Sequence, residues 1–238
     1  MPILILIRHG QSIWNAKNKF TGWVDSPLST KGETEAELAG ELILKENIKI
    51  SFGYTSFLSR AINTLTILLK TLGVTSIPVH KAWELNERHY GSLTGKNKQE
   101  IKKKLGEKIF LQYRRSWDIA PPAIDSDKNF DYGDLNSKIA LANIPRTESL
   151  KDTYLRVIKY YNTKIVDNLC DDKTVIIGAH GNSLRALCKN LFKISNQDIN
   201  NLEIPTGNPM IVELDDSKLA RKAYYLDKSR AKPIINMS

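Results

Sequence analysis

A chain of 238 residues with 41% hydrophobic and 26% charged residues has the size and composition of a globular protein with one full core. Two cysteines, Cys170 and Cys188, exclude a disulfide framework, and the apolar start Met1–Ile7 is one strand long, neither a secretory leader nor a membrane span. The net charge of +9 points to an anionic partner. Lys96–Lys108, with Glu100 and Glu107 interspersed, reads as a solvated helix face rather than a nucleic-acid groove, so a small polyanion in a cytoplasmic setting is expected, with no nucleic acid and no membrane.

Ile3–Ile7 is a continuous apolar run, the pattern of a strand buried on both faces of a parallel sheet. Thr30-x-x-Glu33 reads as a capping box, opening a helix striped by Ala36, Ala39 and Ile43 with Leu38 and Leu42 beside them. A strand and loop over Gly53–Ser59 lead into a helix over Ser59–Leu72, with Ile62, Leu65, Leu69 and Leu72 inward and Gly73 ending it. Ile77–His80 reads as a short strand. Lys98–Trp117 reads as a helix with Ile101, Leu105, Ile109, Tyr113 and Trp117 on one side and Gly106 as a possible division. Over 118–147 the periodicity fails, which predicts an irregular, lid-like excursion.

Ser149-x-x-Asp152 then caps a helix whose core face is Leu150, Tyr154, Val157, Ile158, Tyr161 and Ile165. Thr174–Ile177 is the second buried strand, and the next helix is striped by Leu184, Leu187, Cys188 and Leu191, which places Cys188 in the core. Met210–Leu214 is a further strand. This alternation predicts one α/β domain over 1–227, with a mainly parallel central sheet flanked by helices on both faces, and a mobile tail over 228–238.

Both buried strands end in His-Gly, at His9-Gly10 and His180-Gly181, where ligand crevices of such sheets lie. A neutral imidazole is a good phosphoryl acceptor, and guanidinium groups beside it disfavour the imidazolium form. Arg8 adjoins His9, and Arg60, Arg88, Arg114 and Arg115 lie near turns, where forked donors suit phosphate or carboxylate. Ser12 and Asn15 are short polar donors close by. Glu87 is the candidate proton carrier, with a salt bridge to Arg88 or another neighbouring cation as the competing reading. Neither phosphate-cradling glycine motif is present, Gly181–Arg185 misses the nucleophile elbow at its last position, and no metal-ligand spacing occurs.

Arg8-His9-Gly10 with Ser12 resembles the signature of the histidine phosphatase superfamily. Phe20–Trp23, Asn86–Gly91, Ala179–Arg185 and Pro205–Pro209 are similar to cofactor-dependent phosphoglycerate mutases within it, and the likeness covers about Ile3–Asp227. The resemblance implies ping-pong phosphoryl transfer primed by 2,3-bisphosphoglycerate, without a metal, between 3-phosphoglycerate and 2-phosphoglycerate. It implies His9 as the phosphoryl carrier, with Arg8, Arg60 and His180 around the moving group and Glu87 as acid and base. Thr21, Gly22, Arg88, Tyr90, Lys98, Arg114, Arg115 and Asn182, beside Gly181, are implied as the grip on the rest of the substrate. A homodimer is expected on the same ground. A histidine phosphatase passing the group to water is the rival.

Overall fold

Residue alternation along the first strand sets the layering. In β1 (Ile3–Arg8), Leu4 and Leu6 enter one apolar cluster and Ile5 and Ile7 another, all four fully buried. Each contributes about 1.5–3 kcal/mol on leaving water, so the strand is fixed from both sides. A computed structural model describes residues 1–125, 139–140, 143–171 and 173–236. Its other strands are β2 (Phe52–Thr55), β3 (Val79–Lys81), β4 (Thr174–Ala179), β5 (Met210–Leu214) and β6 (Ala220–Tyr225). They form one sheet in the order β3-β2-β4-β1-β5-β6. The first four in that order run parallel, and β5 and β6 are added antiparallel beyond β1.

The helices are α1 (Ile13–Ala16), α2 (Thr30–Lys45), α3 (Ser59–Thr71), α4 (Lys98–Arg115), α5 (Leu150–Tyr160) and α6 (Gly181–Leu191). Ala39 and Ile43 of α2 and Leu65 and Leu68 of α3 pack on Ile5, Ile7 and Ile176. On the opposite face, Leu150 and Val157 of α5 and Leu184 and Leu187 of α6 pack on Leu4, Leu6, Val175 and Ile177. The expected α/β architecture, with helices on both faces, is the one observed. Cys188 is fully buried, and burial pushes its thiol up to about 12, as a core residue requires.

Several local expectations shift. The N-cap of α2 is Ser29, not Thr30: its Oγ accepts from the Gly32 N–H at 3.2 Å. Leu38 points outward at 44% exposure, and Gly40 lets α2 and α3 approach so closely that an added Cβ would strike Thr71. In α3 the inward positions include Arg60, Thr64 and Leu68, while Ile62 and Leu72 are half-buried. Gly106, at φ 77°, interrupts α4, so the helix restarts out of phase and Phe110 turns inward in place of Ile109. β3 lies two residues later at its start than expected, and β6 is an edge strand that no apolar run announced.

Of the irregular stretch, 126–138 and 141–142 lie outside the described residues. On either side of them the chain closes on itself: the Ile124 N–H donates to the Arg146 carbonyl and Thr147 Oγ1 to the Pro121 carbonyl. Residues 228–236, read from the sequence as a mobile tail, make defined contacts here. Arg230 donates to the Thr206 and Gly207 carbonyls, Ile234 and Ile235 pack on the core, and Asn236 reaches the Phe192 carbonyl.

Candidate active site

Strand register brings the two histidines together. β1 and β4 are neighbours with Arg8 opposite Ala179, so His9 and His180 leave adjacent parallel strands at the same level. The His9 N–H donates to the Ala179 carbonyl at 2.9 Å, and the ring centroids are 4.9 Å apart, edge to face. The chain then turns sharply under the N-terminus of α2. A Cβ on Gly10 would collide with the Gly32 carbonyl, and Glu35 Oε2 accepts the Gln11 N–H at 2.8 Å.

His9 Nδ1 lies 2.6 Å from the Gly10 carbonyl. A carbonyl only accepts, so Nδ1 carries the proton and Nε2 keeps its lone pair. Burial holds His9 well below the usual imidazole range, with Arg60 and then Arg8 adding to the effect. His180, hydrogen-bonded through Nε2 to Ser56 Oγ at 2.7 Å, is likewise lowered by burial and then by Arg60. Both rings are therefore neutral near pH 7, and His9 presents an unprotonated nucleophilic nitrogen.

His9 opens into a cavity of about 190 Å³, while His180, fully buried beside it, is not on the wall. Of the sequence-derived candidates, Arg8, His9, Asn15, Thr21, Gly22, Arg60, Glu87, Tyr90, Lys98, Arg114, Arg115, Gly181 and Asn182 line it. Arg60 is anchored by donation to the Gly22 and Val24 carbonyls, and Arg8 to that of Ile204. Burial lowers Arg60 to about 10, and Lys98 and Arg114 are also lowered, chiefly by burial. Burial pushes the Tyr90 hydroxyl up, but Arg88, Lys98 and Arg114 outweigh it and the net shift is down. That hydroxyl accepts from Asn182 Nδ2 at 3.0 Å.

Glu87 is held by backbone. Its Oε1 accepts from the Arg88 N–H at 2.7 Å and the Asn182 N–H at 3.2 Å, while Oε2 lies beside Gly181. The carboxyl is thus fixed through one oxygen, with the other at the cavity. The salt-bridge reading fails for Arg88, which is fully buried and directs Nη2 to the Tyr113 and Arg114 carbonyls. Arg88, expected to grip substrate, is absent from the cavity wall; it caps the carbonyl end of α4 and so places Arg114 and Arg115. Ser12 is also buried away from the wall, trading reciprocal bonds with Asn15 as the cap of α1. No group of side chains suited to a metal ion occurs among the described residues.

Residues 4–226 match the profile of the histidine phosphatase superfamily (branch 1). The chain belongs to that superfamily. Within it, the chain is 52% identical, over 99% of both chains, to the 2,3-bisphosphoglycerate-dependent phosphoglycerate mutase of Pelagibacter ubique. It is 50% identical to phosphoglycerate mutase 1 of Saccharomyces cerevisiae, covering 97% of this chain and 95% of that one. Among solved structures, mycobacterial glucosyl-3-phosphoglycerate phosphatase complexed with VO3 superposes with a TM-score of 0.70 at 22% identity, covering 94% and 97% of the two chains. That likeness is one of fold alone.

In this member of the superfamily, further residues that the motifs did not single out also line the wall: Arg185, Glu203 and Lys232. Arg185 of α6 is buried, lowered to about 9 chiefly by burial and then by Arg115, and bonds Asn182 Oδ1 and the Ile199 carbonyl. Glu203 faces the cavity paired with Arg115, and Lys232 arrives from the chain end. Arg185 sits in the quoted His180 motif, so its position was a usable signal. Nothing in the local sequence around Glu203 or Lys232 marks either as a cavity residue.

Proposed function

We propose that the cavity interconverts 3-phosphoglycerate and 2-phosphoglycerate in a 2,3-bisphosphoglycerate-dependent manner, as in glycolysis and gluconeogenesis, with His9 as the phosphoryl carrier. The observation that carries this reading is the free Nε2 of a neutral, buried His9, placed in a cation-lined cavity opposite a backbone-anchored carboxyl. The names of relatives about half identical over nearly the whole chain supply the substrate.

Two phosphates and a carboxylate on a short frame suit this wall. Arg8 Nε and Arg60 Nε are buried N–H groups with no protein partner among the described residues, on side chains that act on His9, and Lys98, Arg114 and Arg115 share the same wall. When bound, 2,3-bisphosphoglycerate supplies the phosphoryl group that loads His9. Arg8, Arg60 and His180 border that group, and fixed cations stabilise a loose transition state without reorganising. Loaded His9 then gives its group to the 2-hydroxyl of 3-phosphoglycerate: the N–P bond breaks, the O–P bond forms, and Glu87 takes the hydroxyl proton. In the return half, the 3-phosphoryl group passes to His9 Nε2 and Glu87 returns the proton to the departing oxygen, leaving 2-phosphoglycerate.

The test is an enolase-coupled assay on 3-phosphoglycerate with and without a trace of 2,3-bisphosphoglycerate, using wild type and His9→Ala. Stimulation by the bisphosphate in wild type and no turnover in the variant is the expected result. Free phosphate as the main product assigns the chain to the phosphatases instead. A homodimer and a cytoplasmic setting complete the proposal; sedimentation velocity and cell fractionation test them.

A further inference from the structure

We infer that Arg156 is a positioning residue for Glu87, acting with Glu148 as a buried clamp on the segment that carries the proton-transfer group. This rests on the role given to Glu87 above. Residues 84–89 belong to no strand, so their carbonyls have no ladder partners. Arg156, projecting from α5, supplies them: Nη1 donates to the Glu84 carbonyl at 2.6 Å and the Asn86 carbonyl at 3.0 Å, and Nη2 to the Glu87 carbonyl at 3.0 Å.

The same guanidinium is held in plane by Glu148. Nε donates to Oε1 at 2.7 Å and Nη2 to Oε2 at 2.9 Å, with the two side chains 8% and 5% exposed. Glu148 closes the clamp from the other side, for its Oε2 also accepts the His89 N–H at 2.8 Å. A buried ion pair is by itself weak grounds for stability. Here all of its remaining donors and acceptors converge on six consecutive residues around Glu87.

The link to the carboxyl is a single peptide plane. The Glu87 carbonyl and the Arg88 N–H belong to one rigid unit. Arg156, together with Trp23 Nε1 at 2.6 Å, fixes the carbonyl end, which aims the N–H end at Glu87 Oε1. Releasing the carbonyl lets the plane rotate, and the carboxyl loses its orientation toward the cavity. Arg156 does not line the cavity, so it acts through Glu87 and not on substrate.

The test is a double-mutant cycle. Arg156→Lys keeps a cation opposite Glu148, but one ammonium cannot span the carboxylate and three carbonyls. We expect kcat on 3-phosphoglycerate to fall about 30- to 100-fold with KM held within about 2-fold, since misplacement of about 1 Å carries a cost of that order. In a Glu87→Gln background the same substitution costs less than about 2-fold. Phosphorylation of His9 by an activated aryl phosphate, whose leaving group needs no proton, stays at the wild-type rate. Equal cost in both backgrounds, or a parallel fall in the aryl phosphate reaction, overturns the inference. If Arg156→Lys does not fold, Arg156→Met with Glu148→Gln, which leaves no charge buried alone, goes through the same cycle. A wild type that loads His9 from the aryl phosphate yet never turns over 3-phosphoglycerate overturns the mutase reading, and the inference with it.

Discussion

The two sides of the cavity are built by different means. On one side, His9 and His180 stand at the ends of paired parallel strands, so their spacing is a property of backbone register. On the other, Glu87 and Tyr90 are carried by a segment that joins no strand, and they and the arginines at the end of α4 are placed by side chains that reach back to carbonyls: Trp23, Arg88 and Arg156. The proposed nucleophile, set by strand pairing, is expected to tolerate change in the side chains around it, and the proposed proton carrier, set by side-chain bonds, is not.

The largest effect breaks the strand side outright: His9→Ala removes the phosphoryl carrier and lowers kcat by on the order of 10⁴-fold or more, read in the enolase-coupled assay. Acid attacks both sides at once. His9, His180 and, at about 4, His89 are all held low chiefly by burial, so the folded protein binds fewer protons than the unfolded chain below about pH 6.5. Stability contributed by keeping these rings neutral is present above that pH and is lost as pH falls toward 4, by on the order of 3 kcal/mol for His89 alone. Denaturant unfolding followed across that window measures it, and a flat profile contradicts it.

Two matched substitutions sharpen the contrast. Trp23→Phe removes the N–H donated to the Glu87 carbonyl and is expected to lower kcat about 10-fold at unchanged KM. Thr64→Val removes the acceptor of the Gly10 N–H beside His9, which costs about 1–3 kcal/mol of stability yet leaves kcat within about 3-fold, because register still holds the ring. Equal kinetic losses in the pair erase the distinction. The smallest effect belongs to the rim: Glu203→Gln frees Arg115 from a carboxylate that competes with substrate, and steady-state kinetics should show KM falling about 2- to 5-fold.

Legibility in the sequence follows the same division. The meeting of His9 and His180 was readable, because two β-branched runs ending in His-Gly become adjacent strand ends once a parallel sheet is inferred. The burial of Arg88 was not: an arginine beside a candidate acid looks like a ligand grip until its Nη2 is seen to donate to the carbonyls of Tyr113 and Arg114, about 25 residues away. Phe110 in place of Ile109 followed from the positive φ of Gly106, which resets helical phase without altering composition. The edge strand β6 has an exposed, cation-bearing face and so lacks the apolar run that announced β1 and β4. Nothing in the local sequence marks Arg156, since the carbonyls it holds lie 69–72 positions away.

The central claim is that Nε2 of His9 carries the migrating group, Nδ1 being occupied by the Gly10 carbonyl. Phosphorus NMR of the protein after loading with 2,3-bisphosphoglycerate tests this directly. One acid-labile phosphohistidine, of the Nε2-linked isomer, is expected in wild type and none in His9→Ala. A phosphoryl group on Nδ1, on His180, or nowhere on the chain would contradict it.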